Sequence, residues 1–319
     1  MKTEALWYLG ERSIEFREMD IPEPAANEVA VEMEICGICG WDVVSFAGRF
    51  GRFHPYPFCA GHEGVGRVIK AGEHVRSVKV GDRVACHEVP IGQPGGALMA
   101  RHAIRTDQKV SLIPESGIRL EHWVVEPVAC IVNGLVYSGI QPGDSVALVG
   151  AGYMGLIFVQ GLARTLAGEV AVFDVDERRL ALAKGMGASE TVKVGATLEP
   201  RHKKHYDVII ETAGNPDSLR LALELAKPAA IIENFAWHHH EQEFSLDDWH
   251  TNGWRILNIQ PGMNPHFADL FPRTISLMKN GVFSNQKLVT HTARFKDALG
   301  LYTTALERKD GYMKGVITF

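Results

Sequence analysis

The chain has 319 residues, 46% of them apolar and 22% charged, with a net charge of −5; this suggests about two domains and an ordinary globular core. The absence of a basic run gives no reason to expect nucleic acid or an anionic membrane as partner, and no apolar stretch escapes glycine or charge for the roughly 18 residues of a membrane span. Five cysteines, without an apolar leader after Met1, predict reduced thiols and a cytoplasmic location and argue against a disulfide framework.

Residues 1 to about 125 read as short strands and turns. Val29 to Ile35 alternates apolar and acidic residues, as a half-buried strand does. Residues 64–70 and 82–87 predict further strands, with Lys79-Val-Gly-Asp82 as the turn between them. Glycine and proline recur throughout, so a barrel-like β domain is expected. Within it Cys36-Gly-Ile-Cys39 is followed by Gly61-His62-Glu63. A CxxC pair suits a redox dithiol, half of a structural zinc site, or two packed thiols. The redox reading wants the start of a helix beside a βαβ unit, whereas this pair sits among predicted strands. A closed structural site wants a second pair, which the chain lacks. A catalytic zinc needs only three protein ligands, so Cys39, His62 and one more carboxylate or thiol would suffice.

From about residue 125 the pattern changes to alternating strands and helices. Strands are predicted at 146–149, 170–174, 190–194, 207–212, 229–235 and 255–259, and helices at 153–167, 177–186 and 217–226. That alternation predicts an α/β domain with a doubly wound, mostly parallel sheet. Its first turn is Gly150-Ala-Gly152-Tyr-Met-Gly155, between an apolar strand and a helical stripe of Leu156, Val159, Leu162, Ala163 and Leu166. This is the context a dinucleotide fingerprint requires. Gly150 makes the tight turn, Gly152 admits a pyrophosphate, and Gly155 lets the helix pack on the strand. The helix N-terminus at Tyr153 and Met154 then offers N–H groups to the phosphates. Asp174, at the end of the next strand, suits ribose hydroxyls and repels a ribose phosphate, which favours NAD over NADP. A tight turn without ligand and an adenosyl-binding methyltransferase are the competing readings.

Further on, His238-His-His240 is expected to be a loop run near Trp237, Trp249 and Trp254, because consecutive strand residues point to opposite faces and seldom converge on one ion. A helix over 268–279, a strand at 287–291, a helix over 295–308 and a closing strand at 315–319 complete the chain.

Several motifs occur together in one order: Gly37-Ile-Cys39-Gly-Trp-Asp42, Gly61-His62-Glu63-Gly-Val-Gly66, Val80-Gly-Asp-Arg-Val84, Glu126-Pro127 and the Gly150–Gly155 turn. Together they resemble the medium-chain dehydrogenase/reductase superfamily, in particular its zinc-dependent alcohol and polyol dehydrogenases of the sorbitol and threonine dehydrogenase-like branch. The resemblance implies a discontinuous GroES-like β-barrel catalytic domain (1–125 and 285–319) and a Rossmann domain (126–284), with the active site in the cleft between them. It implies Cys39 and His62 as ligands of one catalytic zinc, completed by Glu126 or Glu63. Asp42 matches the acid that orients the zinc histidine, and Arg179 a basic position near the adenine. The four-cysteine lobe of many relatives is missing after Val84, so no structural zinc is expected. Trp41 stands where the family usually has serine or threonine to pass on the substrate proton, and its indole can only donate. His87, with Glu88, is the candidate for a rerouted proton path; a surface strand position is the plainer reading of His87. The loop of Arg49, Phe50, Arg52, Phe53 and His54 is a candidate entrance. The implied activity is hydride transfer between a secondary alcohol, a polyol or sugar, and NAD, in a homo-oligomer (dimer or tetramer). A zinc-independent carbonyl reductase and a non-catalytic nucleotide-binding relative are the alternatives.

Overall fold

The alternating segment that begins at Glu28 becomes the strand around which one sheet is assembled. The computed structural model describes every residue except Phe50, Arg52, Phe53, Ala60, Pro90, Pro94, Ala196, His240, Gln242 and Phe244, and the side chain of Met263. The chain forms two compact units, Met1–Pro127 with Ala268–Phe319, and Val128–Phe267. The return to the first unit thus begins at residue 268, upstream of the 285 expected from sequence. Most of the proposed entrance loop, and the last histidine of the 238–240 run, lie outside the described residues.

The first unit opens with β1 (Lys2–Gly10), β2 (Ser13–Asp20), β3 (Glu28–Ile38), α1 (Gly40–Phe46), β4 (Phe58–Cys59), β5 (Glu63–Ala71), β6 (Arg83–Cys86), β7 (His102–Thr106) and β8 (Val110–Leu112). β3 pairs antiparallel with both β5 and β7. A smaller sheet runs β2-β1-β4. Apolar residues on alternate positions of these strands, among them Val29, Val31, Met33, Val68 and Val84, form one core.

Next come α2 (Val125–Tyr137), β9 (Ser145–Val149), α3 (Tyr153–Leu162), β10 (Glu169–Asp174), α4 (Glu177–Gly185), β11 (Glu190–Lys193), β12 (Tyr206–Glu211), α5 (Pro216–Leu225), β13 (Ala226–Asn234), α6 (Leu246–Asn252) and β14 (Arg255–Asn258). The six strands pair in parallel in the order β11-β10-β9-β12-β13-β14. The order reverses direction between β9 and β12, which is the switch point where open α/β sheets bind ligands. The chain then runs through α7 (Phe267–Lys279), β15 (Val289–Arg294), α8 (Ala298–Glu307) and β16 (Lys314–Thr318). β16 lies antiparallel to β3 and parallel to β15, which forms that edge of the first sheet. Among the described residues, no helix is long and apolar enough to cross a membrane.

Three local expectations are corrected. The helix after the glycine turn ends at Leu162, not at 167. The N–H groups of Arg164 and Thr165 bond back to Gly161 and Leu162 in a tightened last turn, and Leu166 is 73% exposed. α1, which the strand-rich reading of this region omits, follows β3 directly, and Cys39 is its N-cap. α6 is also additional: the Ser245 hydroxyl accepts from the Asp248 N–H and starts it, and Gly253 in the left-handed region stops it.

Glu233 in β13 is fully buried, and neither carboxyl oxygen has a hydrogen-bond partner among the described residues. The carboxyl lies against Gly134 and Phe158, where a Cβ on Gly134 would come within 2.7 Å of Oε1. Burial pushes Glu233 up to about 8 from its ordinary 4.5, because a carboxylate in apolar surroundings is poorly solvated. Between those values the folded chain holds a proton that the unfolded chain has released, so stability falls as pH rises through that window. Glu233→Gln should therefore melt increasingly above the wild type as pH rises from about 5 to about 8. A difference in Tm that stays constant across that range would contradict the assignment.

Candidate active site

β3 ends at Ile38, and the next residue caps α1. The turn after residue 60 then delivers His62 and, at the start of β5, Glu63. The thiol of Cys39, the imidazole of His62 and the carboxylate of Glu63 bring their ligand atoms within 4.8 Å of one another. Ligand atoms around a tetrahedral zinc lie about 3.5 Å apart, so the trio needs little adjustment to hold one. Soft sulfur, nitrogen and oxygen donors in one group are the set that zinc accepts. The electrostatics agree. Burial opposes a charged His62 imidazolium, yet Cys39, Asp42 and Glu126 outweigh it and hold the group well above the usual histidine range. A cluster that draws positive charge onto an imidazole is suited to a cation.

The surrounding residues fix the trio. Asp42 is fully buried. It accepts from the Cys39 N–H at 2.8 Å and from the Tyr8 hydroxyl at 2.8 Å. Tyr8 in turn meets the Tyr302 hydroxyl at 2.7 Å, which ties α8 to the end of β3. Asp42 therefore acts on His62 through charge, and its hydrogen bonds go to the Cys39 backbone and Tyr8. Trp41 stands edge-on to His62, with ring centres 5.8 Å apart, and also meets Phe58 at 5.9 Å. It forms an apolar wall beside the imidazole.

Glu63 has a partner that the sequence did not suggest. The Lys314 ammonium, on β16, donates to Oε1 at 2.6 Å and lies 2.5 Å from Oε2, outside hydrogen-bond geometry there. Both residues are buried. The carboxylate reaches across β3 over Gly37, where any Cβ would stand 2.0 Å from Oε2. Glycine is required at that crossing. The one signal for Lys314 was its place as a cation just ahead of the closing strand expected at 315–319; the structure begins β16 at Lys314 itself.

Glu126, buried at the start of α2, stands outside the 4.8 Å group, but its charge reaches His62. Cys36 behaves as a packed thiol: it is buried, donates to the Gly37 carbonyl at 3.6 Å, and burial pushes it well up. His87 is not on the surface. Its Nε2 pairs with the Ser111 hydroxyl at 2.9 Å, and its ring stacks on Phe271 with centres 3.8 Å apart. Burial, with Lys109 and Arg105 nearby, pushes it down to about 3, so it is neutral at physiological pH. Its hydrogen bond goes to Ser111 and to none of Cys39, His62 and Glu63. The buried Arg105 guanidinium spans the carbonyls of His87, Gly95, Gly96 and Ile104 and braces the segment that replaces the missing lobe.

In the second unit the glycine turn has the form a dinucleotide needs. Gly150 has φ +99°, a conformation that favours glycine. A Cβ on Gly155 would meet the Gly150 carbonyl at 2.0 Å, so α3 packs on the turn only with glycine there. A Cβ on Gly152 would meet nothing within 4 Å. That open face, beside the N-terminus of α3 at Tyr153 and Met154, fits a pyrophosphate. Asp174 closes β10. Its Oδ2 accepts from the Ala151 N–H at 2.6 Å and its Oδ1 from the Asp176 N–H at 2.8 Å. Arg179 lies 4.0 Å from both Asp174 and Asp176.

Comparison with known proteins follows the same lines. Residues 25–115 match the alcohol dehydrogenase GroES-like domain, and residues 154–279 match the zinc-binding dehydrogenase family. Sorbitol dehydrogenase of Bacillus subtilis is 27% identical over 96% of this chain and 94% of its own length. The starvation-sensing protein RspB of Escherichia coli K12 is 29% identical over 89% of this chain and 91% of its own. A solved alcohol dehydrogenase (rspB) of Escherichia coli CFT073, complexed with NADH, superposes with a TM-score of 0.86 at 26% identity, over 100% of this chain and 99% of that one. A GroES-like domain and a parallel-sheet Rossmann domain are thus both present, and the chain belongs to the zinc-type alcohol and polyol dehydrogenases of the medium-chain dehydrogenase/reductase superfamily, as an oxidoreductase of alcohols.

Proposed function

We propose that this protein oxidises a secondary alcohol of the polyol or sugar class with NAD, using one zinc ion held by Cys39, His62 and either Glu63 or Glu126. The observation that carries this reading is the convergence of Cys39, His62 and Glu63. The polyol class is supported by the names of relatives, which include sorbitol, butanediol and arabinitol dehydrogenases. Zinc, when bound, supplies Lewis-acid polarisation of the substrate oxygen. The chain's own residues do the rest. Trp41 keeps one side of His62 apolar, and Asp42 holds the Cys39 backbone in place. Lys314 balances Glu63, so the donor set does not accumulate uncompensated negative charge. The Gly150–Gly155 turn and Asp174 would hold the coenzyme, which would supply the acceptor for the hydride of the alcohol carbon, and the hydroxyl proton would pass to solvent. With Trp41 in place of a hydroxyl, that proton leaves by another route, and His87, pushed down to about 3 and bonded to Ser111, is poorly suited to accept it. Assembly as a homo-oligomer belongs to the same reading.

Asp174 carries the choice of NAD. A ribose phosphate would sit against a buried carboxylate whose oxygens already hold two backbone N–H groups. The wild type should therefore use NAD at least about tenfold better than NADP in kcat/KM, the effect of one unfavourable charge contact. Asp174→Ser, beside Arg179, should erase most of that preference. Parallel assays with both coenzymes on a polyol panel measure it. A wild type that prefers NADP would contradict the role given to Asp174.

A further inference from the structure

His238 belongs to the histidine run that the zinc and coenzyme readings leave unused. Its Nε2 lies 2.9 Å from Oε2 of Glu211, and its side chain is only 9% exposed, against 0% for Glu211. Glu211 ends β12, on the side of the sheet where β9 and β12 diverge. Its Oε1 accepts from the N–H groups of Ala213 and Gly214 at 2.7 and 2.8 Å. Its backbone carbonyl accepts from Phe235 and Ala236, both at 3.0 Å. One acid thus fastens the turn after β12 to the segment after β13, and His238 closes the arrangement. The same turn rests on the glycine fingerprint. The Thr212 hydroxyl donates to the Gly150 carbonyl at 2.8 Å, and a Cβ on Gly150 would meet Ala213 at 3.0 Å. Gly214, with φ +71°, backs onto Trp237.

We propose that His238 is a positioning residue for the coenzyme: through Glu211 it holds the 212–214 turn against the Gly150 turn and so sets coenzyme affinity. This rests on the coenzyme reading of the Gly150–Gly155 turn. A carboxylate accepts only, so Nε2 of His238 carries the proton and donates. Without that donor, Oε2 of Glu211 is a buried charge lacking one of its hydrogen bonds. The segment after β13 then loosens, and the 212–214 turn loses its backing. The requirement is a donor at the Nε2 position, which the longer amide of glutamine can supply and leucine cannot.

The test is NADH titration by fluorescence on the full-length, zinc-loaded protein, alongside KM for coenzyme and for alcohol. His238→Leu should raise the NADH Kd about tenfold or more, the effect of one lost hydrogen bond to a charged group. KM for NAD should rise with it, while zinc content and KM for the alcohol hold. His238→Gln should stay within about threefold of wild type, which a purely steric role would not produce. If His238→Leu does not fold, His238→Asn, too short to reach Glu211, takes its place with the same expected loss. Unchanged NADH affinity in a folded variant, or equal losses for Leu and Gln, overturns the proposal while the coenzyme reading stands. A wild type that binds no NADH overturns both.

Discussion

Replacing Cys39 with alanine is expected to strip the protein of bound zinc and to lower kcat/KM by about a thousandfold or more. The magnitude follows from the chemistry the metal supplies. Lewis-acid stabilisation of charge on the reacting oxygen contributes several kcal/mol, and each 1.36 kcal/mol is tenfold in rate, so about 4 kcal/mol corresponds to a thousandfold. Cys39 is the one soft donor in the trio, and two remaining ligands hold zinc far more weakly than three. Cys36 is the internal control. Three residues upstream and equally a cysteine, it is fully buried and donates to its neighbour's carbonyl. Cys36→Ala should keep the metal and most of the activity. Zinc content and steady-state kinetics of the two variants check both statements. If Cys39→Ala retained stoichiometric zinc, its assignment as a ligand would be wrong.

Lys314→Met should destabilise the metal-free protein by roughly 3–5 kcal/mol, the range for removing one partner of a buried ion pair. The pair is an unusually enclosed one. Lys314 is 3% exposed and Glu63 2%, with Nζ near both carboxylate oxygens. Loss of the ammonium leaves a buried carboxylate over Gly37 without its paired cation, with the His62 imidazole as the remaining positive group nearby. Two comparisons separate this cause from simple loss of packing. Glu63→Gln combined with Lys314→Met should recover much of the loss, because no charge is then left unpaired. Zinc should also rescue the single variant, since the cation would supply the missing positive charge beside Glu63. Denaturant unfolding of the wild type and both variants, with and without zinc, measures these differences. A single variant that loses less than about 1 kcal/mol in the metal-free state would show that the ion pair contributes little.

The parts of the fold that were legible in the sequence are those where short-range physics decides the outcome. The parallel sheet announced itself through apolar strands such as Val208-Ile-Ile210, and the coenzyme turn through glycines at 150, 152 and 155. At Gly150 and Gly155 backbone conformation or close approach admits no other residue. Cys39 and His62 stood out in the sequence because a thiol and an imidazole near glycine turns are a chemical pattern, and the structure brings the two side chains together. What escaped depends on distance along the chain. Lys314 meets Glu63 across 251 residues, and Tyr302 meets Tyr8 across 294. Neither residue carries any local mark of its partner. His87 read equally as a proton-path candidate and as a strand residue open to water, and only the arrival of Phe271 and Ser111 makes it a buried, neutral ring. Leu166 fitted the helical stripe, but the helix had already closed with its last N–H groups turned back. His238 looked like one of three similar neighbours until Glu211 distinguished it.

The Cys39, His62 and Glu63 group is proposed as a working metal site in an alcohol dehydrogenase. Its most direct test is the zinc content of the purified wild type, measured together with NAD-dependent oxidation of a polyol panel before and after chelation. About one zinc per chain, with turnover lost on chelation and restored by added zinc, is the predicted result. Undiminished turnover in a protein stripped of metal would contradict it.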